Sequence, residues 1–108
     1  MHKSEAILAY TAGIMDGEGC IGLYKEKAAH YNLGYNLIVR VQIANTQEWL
    51  IRWLQMQFGG YITHQYDERG NRKPLWQWRI AARKAAEFLK LILPYLYLKR
   101  SQAEIAIQ

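Results

Sequence analysis

Between Tyr31 and Ala44 the chain alternates apolar and polar residues almost without interruption. Leu33, Tyr35, Leu37, Val39, Val41 and Ile43 fall on one side of an extended backbone. Asn32, Gly34, Asn36, Arg40 and Gln42 fall on the other, and only Ile38 breaks the pattern. Successive side chains of a strand point to opposite faces, so the pattern predicts a long strand with one buried and one polar face. Such a strand needs neighbours in a sheet and a layer over its apolar side.

The rest of the chain supplies both. Cys20 to Glu26 alternates too, with Ile21 and Leu23 on one face and Gly22, Tyr24 and Glu26 on the other; Lys27 to His30 suits a hairpin linker. Two further strands are predicted over Tyr61–Tyr66 and Leu75–Ala81, around the polar turn Asp67 to Pro74. In the latter strand Trp76, Trp78 and Ile80 face one way, Gln77 and Arg79 the other. Ser4 can cap a helix from Glu5 to Asp16, ended by Gly17 and Gly19. Asn45 or Thr46 can cap a second helix to Phe58, closed by Gly59 and Gly60, with Trp49, Leu50, Trp53 and Leu54 at helical spacing. A third, from about Arg83 to Leu93, turns Ala85, Phe88, Leu89, Ile92 and Leu93 to the core until Pro94 breaks it. A last helix begins near Lys99.

The expected fold is therefore α+β in the order αββαββαα, a four-stranded antiparallel sheet with helices on one face. The uncovered face would carry Tyr24, Asn36, Arg40, Gln42, Thr63, Gln65, Gln77 and Arg79. Trp49, Trp53, Trp76 and Trp78 all sit on apolar faces and are assigned to the core.

At 108 residues the chain suits one compact domain over residues 1–108, and 51% hydrophobic residues with only 2 prolines exclude disorder. Lys and Arg number 14 against 9 acids, a net charge of +5 that favours a polyanionic partner, nucleic acid or an anionic membrane. Cys20 is alone, which rules out an internal disulfide and a Cys-rich zinc site; His2, His30 and His64 lack ligand spacing. No apolar run reaches bilayer length and the N-terminal residues lack a signal peptide's apolar stretch, so an intracellular, membrane-free protein is expected.

Asp16-Gly17-Glu18-Gly19 is the oddest segment. Asp16 would end the first helix and Glu18 would lie just beyond it, where the helix dipole disfavours carboxylates. An oxygen-rich negative spot of this kind suits a hard cation, although two solvated acids at a Gly-rich turn would read the same way. Small residues complete the picture: Ala9, Ala12 and Gly13 share a stripe with Asp16 that would let another backbone approach closely.

Thr11-Ala12-Gly13-Ile14-Met15-Asp16-Gly17-Glu18-Gly19 resembles the LAGLIDADG motif that names a family of homing endonucleases. Ala12, Gly13, Asp16 and Gly19 match its letters, Ile14 and Met15 are conservative, Gly17 is a common variant and Glu18 preserves the second acid. The tail from Leu93 to Glu104 is similar to the family's late segment, in which a basic residue follows a proline-broken helix. The element order also resembles the family fold.

The resemblance implies site-specific cleavage of double-stranded DNA by metal-assisted hydrolysis, with Mg²⁺ or another divalent cation such as Mn²⁺ and no small-molecule cofactor. A single motif implies a homodimer and a near-palindromic target. The motif helices would pack through Ala9, Ala12 and Gly13, with Asp16 holding the junction. Glu18, helped by the Gly17 carbonyl, would bind metal; Lys99 would act near the scissile phosphate. Asn45 would orient the attacking water, with Gln47 as the neighbouring alternative. The polar sheet face would lie in the major groove, where Arg40, Arg79, Asn36, Gln42, Gln65 and Gln77 suit base edges. Tyr24 and Thr63 would join them in contacting DNA, while Lys25, Arg72 and Lys73 suit phosphates instead. Two other readings stay open: a maturase or transcription regulator that binds without cutting, and a basic α+β interaction module in which the motif is accidental.

Overall fold

The computed structural model describes residues 3–27, 35–65, 70 and 73–108. The expected start of the long strand at Tyr31, the hairpin linker and most of the polar turn, Arg72 included, lie outside the described residues, as do the side chains of Lys25 and Asn36. The elements are α1 (Glu5–Glu18), β1 (Gly19–Lys27), β2 (Tyr35–Asn45), α2 (Glu48–Phe58), β3 (Tyr61–Gln65), β4 (Leu75–Ala81), α3 (Ala82–Ile92) and α4 (Arg100–Ile107), with a 3-10 turn over Leu93–Tyr95. This is the expected order. The four strands form one antiparallel sheet ordered β1-β2-β4-β3.

Helix α1 starts where the Ser4 hydroxyl accepts the Ile7 amide at 3.2 Å. Its Leu8, Thr11, Ala12 and Met15 are buried, a spacing that turns one face to the core. The Thr11 hydroxyl is satisfied there, donating to the Ile7 carbonyl at 2.7 Å. The helix runs two residues past the expected end at Asp16, through Gly17 to Glu18. Gly19 is the true stop: its amide closes on the Met15 carbonyl, and a Cβ there would overlap the Met15 side chain and lie 2.8 Å from that carbonyl oxygen. Glu18 is thus the last residue of α1, not the first beyond it.

The core lies between the helices and one sheet face. Val41 and Ile43 of β2 and Trp78 and Ile80 of β4 meet Ala12 and Met15 of α1, Ile51 and Leu54 of α2, and Phe88, Leu89 and Ile92 of α3. Trp78 is the hub, its ring centroid 5.1 Å from Phe88 and 6.5 Å from Phe58. Its indole N–H is not wasted in the interior; it donates to the Gly59 carbonyl at 2.7 Å. Gly60, at φ +90°, lets this turn close, since a Cβ would lie 2.8 Å from the Trp78 Nε1.

Two expectations about burial need correction. The apolar face of the β1/β2 hairpin runs further than the helices reach, leaving Leu23 54% and Leu37 61% exposed. Alternation marks a face but not the length of the layer over it. Among the tryptophans, Trp78 is buried and Trp53 and Trp76 pack at the core's margin, but Trp49 is 60% exposed. It lies in the first turn of α2, beyond the positions that meet the sheet.

Candidate active site and nucleic-acid interface

The end of α1 gathers residues from three distant parts of the chain. Asp16 receives the tail: the Tyr97 amide donates to Oδ2 at 2.8 Å and the Lys99 amide to Oδ1 at 3.0 Å. Lys99 also turns its Nζ back to the Asp16 carbonyl at 2.9 Å. That contact gives one of the helix's last carbonyls, which have no intrahelical partner, a cationic donor where the dipole favours one. Partial burial pushes the Asp16 carboxyl up, but the Tyr97, Lys99 and Leu98 amides and the Lys99 charge outweigh it and hold the group below its ordinary 3.8.

Asp16 is therefore a clamp between helix and tail, with both carboxylate oxygens used within its own chain. A depressed carboxyl stabilises the folded state above the unfolded value and loses that contribution as pH falls through the folded one. Asp16→Asn is expected to cost roughly 1–3 kcal/mol at neutral pH, because backbone donors lose a charged acceptor. The loss should shrink as the wild-type protein is acidified below about 4. Urea unfolding at pH 7 and pH 3 checks both; an equal penalty at the two pH values would exclude the charge as the cause.

Glu18 points elsewhere. It is exposed, and the Asn45 side-chain amide donates to its Oε2 at 2.6 Å across 27 positions of sequence. Asn45 ends β2, paired with Trp76 and so on the helix side of the sheet, which is why it meets the end of α1. Its Oδ1 accepts the Gln47 amide at 2.8 Å. Asn45 thus builds the turn into α2 instead of capping that helix, whose N-cap is Gln47 with no side-chain bond. Glu18, Asn45 and Lys99 share one corner of the molecule, with Gly17 in the same last turn of α1.

Among the described residues, no group of three or more His, Cys, Asp or Glu side chains could hold a metal. With Asp16 committed to the tail, Glu18 offers the single exposed carboxylate at this corner among the described residues, beside the main-chain oxygen of Gly17. These are hard oxygen donors of the kind Mg²⁺ takes, and Mg²⁺ commonly completes its shell with water and substrate phosphates.

The small stripe divides differently from expectation. Ala12 is fully buried in its own core, so it cannot be a contact with another molecule. Ala9 and Gly13 are exposed, and Gly17 joins them one turn further; Cβ atoms built at Gly13 and Gly17 meet nothing within 4 Å. The sequence misled because helical spacing groups Ala9, Ala12 and Gly13 within one broad sector, and packing sends Ala12 inward.

The sheet face away from the helices carries the expected polar residues. Gln42 pairs with Arg79, and Thr63 with Gln77, whose Oε1 accepts the Thr63 hydroxyl at 3.4 Å. The Arg40 guanidinium lies over the Tyr24 ring, 4.8 Å from its centroid. Gln65 and Lys73 are exposed. Gln42 Oε1 and Arg79 Nε are buried without a hydrogen-bond partner among the described residues. This face therefore holds hydrogen-bonding capacity that the chain leaves unused. Missing from the sequence reading were the tail amides that clamp Asp16, which carry no side-chain signature.

A sequence profile of the LAGLIDADG endonuclease family matches residues 11–102. No curated protein sequence matches the chain. Among solved structures, the homing endonuclease I-CvuI, in complex with the I-CreI target in 2 mM Mg with the DNA not cleaved, is 26% identical with a TM-score of 0.76, over 96% of this chain and 65% of its own. The archaeal intron-encoded homing endonuclease I-Vdi141I, complexed with DNA, matches with a TM-score of 0.74 at 14% identity, over 96% and 66% of the two chains. For the homing endonuclease I-TnaI the values are 0.65, 18%, 96% and 69%. The last two likenesses are of fold alone. The chain thus spans just under two thirds of the I-CvuI and I-Vdi141I chains. A family profile that covers most of the chain, over the fold and motif helix just described, places this protein in the LAGLIDADG endonuclease family.

Proposed function

We propose that this protein binds double-stranded DNA as a homodimer and cuts it by hydrolysis of phosphodiester bonds with a divalent cation. The observation that carries this reading is the convergence of Glu18, Asn45 and Lys99 at the end of α1, beside a sheet face rich in Arg and amide side chains. Glu18 and the Gly17 carbonyl would hold the cation. When bound, Mg²⁺ or Mn²⁺ would make water a better nucleophile and neutralise charge building on the phosphate. Asn45 holds the Glu18 carboxylate with one amide hydrogen and has a second to offer the attacking water. Lys99 keeps a cation beside the reaction, steadied by the Asp16 carbonyl.

The homodimer is supported by what α1 leaves uncovered. Its bare face of Ala9, Gly13 and Gly17 is bordered by exposed apolar side chains: Tyr10 on α1 itself, and Tyr97 and Leu98 in the tail clamped to Asp16, 87% and 79% exposed. Tyr10 also meets Trp53 of α2 edge to face, with the ring centroids 5.4 Å apart. Contiguous apolar surface of this kind marks an interaction site. Two motif helices crossing there would bring two Glu18 carboxylates together, one for each DNA strand.

The test is cleavage of a plasmid library carrying randomised inserts, with Mg²⁺ and with EDTA, followed by sequencing of the ends. Metal-dependent double-strand cuts at one near-palindromic site are expected; plasmid that is bound but never cut would make the protein a non-cleaving binder. On the recovered site, Arg40→Ala is expected to cost about 1–3 kcal/mol and relax choice at one base pair per half-site. Affinity should fall steeply with salt, because cationic contacts release counterions. Gel shifts from low to moderate salt check this, and a flat salt dependence would count against DNA binding by this face.

A further inference from the structure

We propose that Tyr24 and Arg40 form one guanine-reading unit, in which Arg40 supplies the hydrogen-bond donors and Tyr24 is the positioning residue that holds the guanidinium before DNA arrives. The inference rests on the DNA-binding reading above and goes further, to a base and to a division of labour between two residues.

The strand register sets the pair. Arg40 stands directly opposite Gly22 on β1 and Ala81 on β4, so both lateral neighbours are small. A Cβ built at Gly22 meets nothing within 4 Å. Tyr24 pairs with Ile38, which makes it the diagonal neighbour of Arg40 on the same face, within reach of a long side chain. The guanidinium fills that reach, its Cζ 4.8 Å from the ring centroid.

What holds Arg40 matters as much as where it is. Arg52 and Arg100 are paired with the carboxylates of Glu48 and Glu104 on their own helices. Arg40 has no hydrogen-bond or ion-pair partner among the described residues. A carboxylate would occupy the fork of N–H donors, whereas an aromatic face attracts the charge and leaves those donors unspent. A held arginine also loses less rotamer freedom on binding than a free one.

Position selects the base edge over the phosphate. Strand β2 lies inside the sheet, between β1 and β4, and Arg40 lies near its middle. A sheet laid in the major groove brings its central strands to the base edges, and the two acceptors of guanine there, O6 and N7, match the arginine fork.

The experiment is selection of bound sequences from a randomised duplex library by the full chain and by three variants. The wild-type protein is expected to enrich guanine at one position per half-site, and Arg40→Ala to lose that enrichment. Tyr24→Leu should weaken the guanine preference about fivefold, the scale of one cation–π contact. Tyr24→Phe keeps the ring and should restore the preference. If Tyr24→Leu discriminates as well as wild type, or Arg40→Ala keeps the guanine, the unit does not exist although DNA reading stands. If the wild-type protein enriches no sequence at all, the DNA-binding reading itself falls.

Discussion

Glu18→Gln is expected to stop cleavage while leaving DNA binding in place. The substitution keeps the size of the side chain and an oxygen to accept the Asn45 amide, so the corner at the end of α1 should hold its shape. What disappears is the negative charge, and with Asp16 bound to the tail no other carboxylate among the described residues at this corner can replace it. A divalent cation would then lose its one anionic protein ligand in each chain. The rate should fall by roughly 10²–10³-fold or more, the loss typical when one electrostatic contact to developing charge is removed. Stability should rise by some tenths to about 1 kcal/mol, because a carboxylate at the negative end of a helix dipole is unfavourable. Nicking rates and gel-shift affinities on one duplex separate the effects. Near wild-type cutting in Mg²⁺ would remove Glu18 from the active site, and equal losses of cutting and binding would make it a binding residue.

Gly13→Leu is expected to separate the two copies without harming either. Gly13 lies inside α1 on its bare face, with open space where a side chain would go. Leucine suits a helix interior better than glycine by roughly 0.5–1 kcal/mol, so the monomer should become slightly more stable. The same side chain would keep a second α1 from approaching as closely as the small residues allow. Sedimentation should change from dimer to monomer, circular dichroism should stay unchanged, and double-strand cutting should vanish. A Gly13→Leu protein that remains dimeric would move the interface away from α1. A wild-type protein that stays monomeric on DNA would overturn the dimer itself.

The sequence alone was enough for the element order, the two faces of the sheet and the helix end that carries Asp16, Gly17 and Glu18. These follow from period-two and helical patterns and from the motif, which are local properties of the chain. Boundaries that depended on neighbours were less legible. Gly17 looks like a helix breaker, yet the helix passes through it, because the stop is made at Gly19 by contact with Met15.

Tertiary structure decided the rest. Ala12 and Gly13 are adjacent and equally small, but the sheet and α3 bury the first and leave the second bare. Trp49 and Trp78 both sit on apolar patterns, and only Trp78 lies where the sheet meets Phe58 of α2 and Phe88 of α3. Asn45 reads locally as a helix cap; folding brings it to Glu18 instead, because β2 ends beside the last turn of α1. The clamp on Asp16 is made by main-chain amides 81 and 83 positions away, and every residue has such amides. Periodicity can say which way a side chain faces. Which partner it meets there depends on distances that only the packed chain sets.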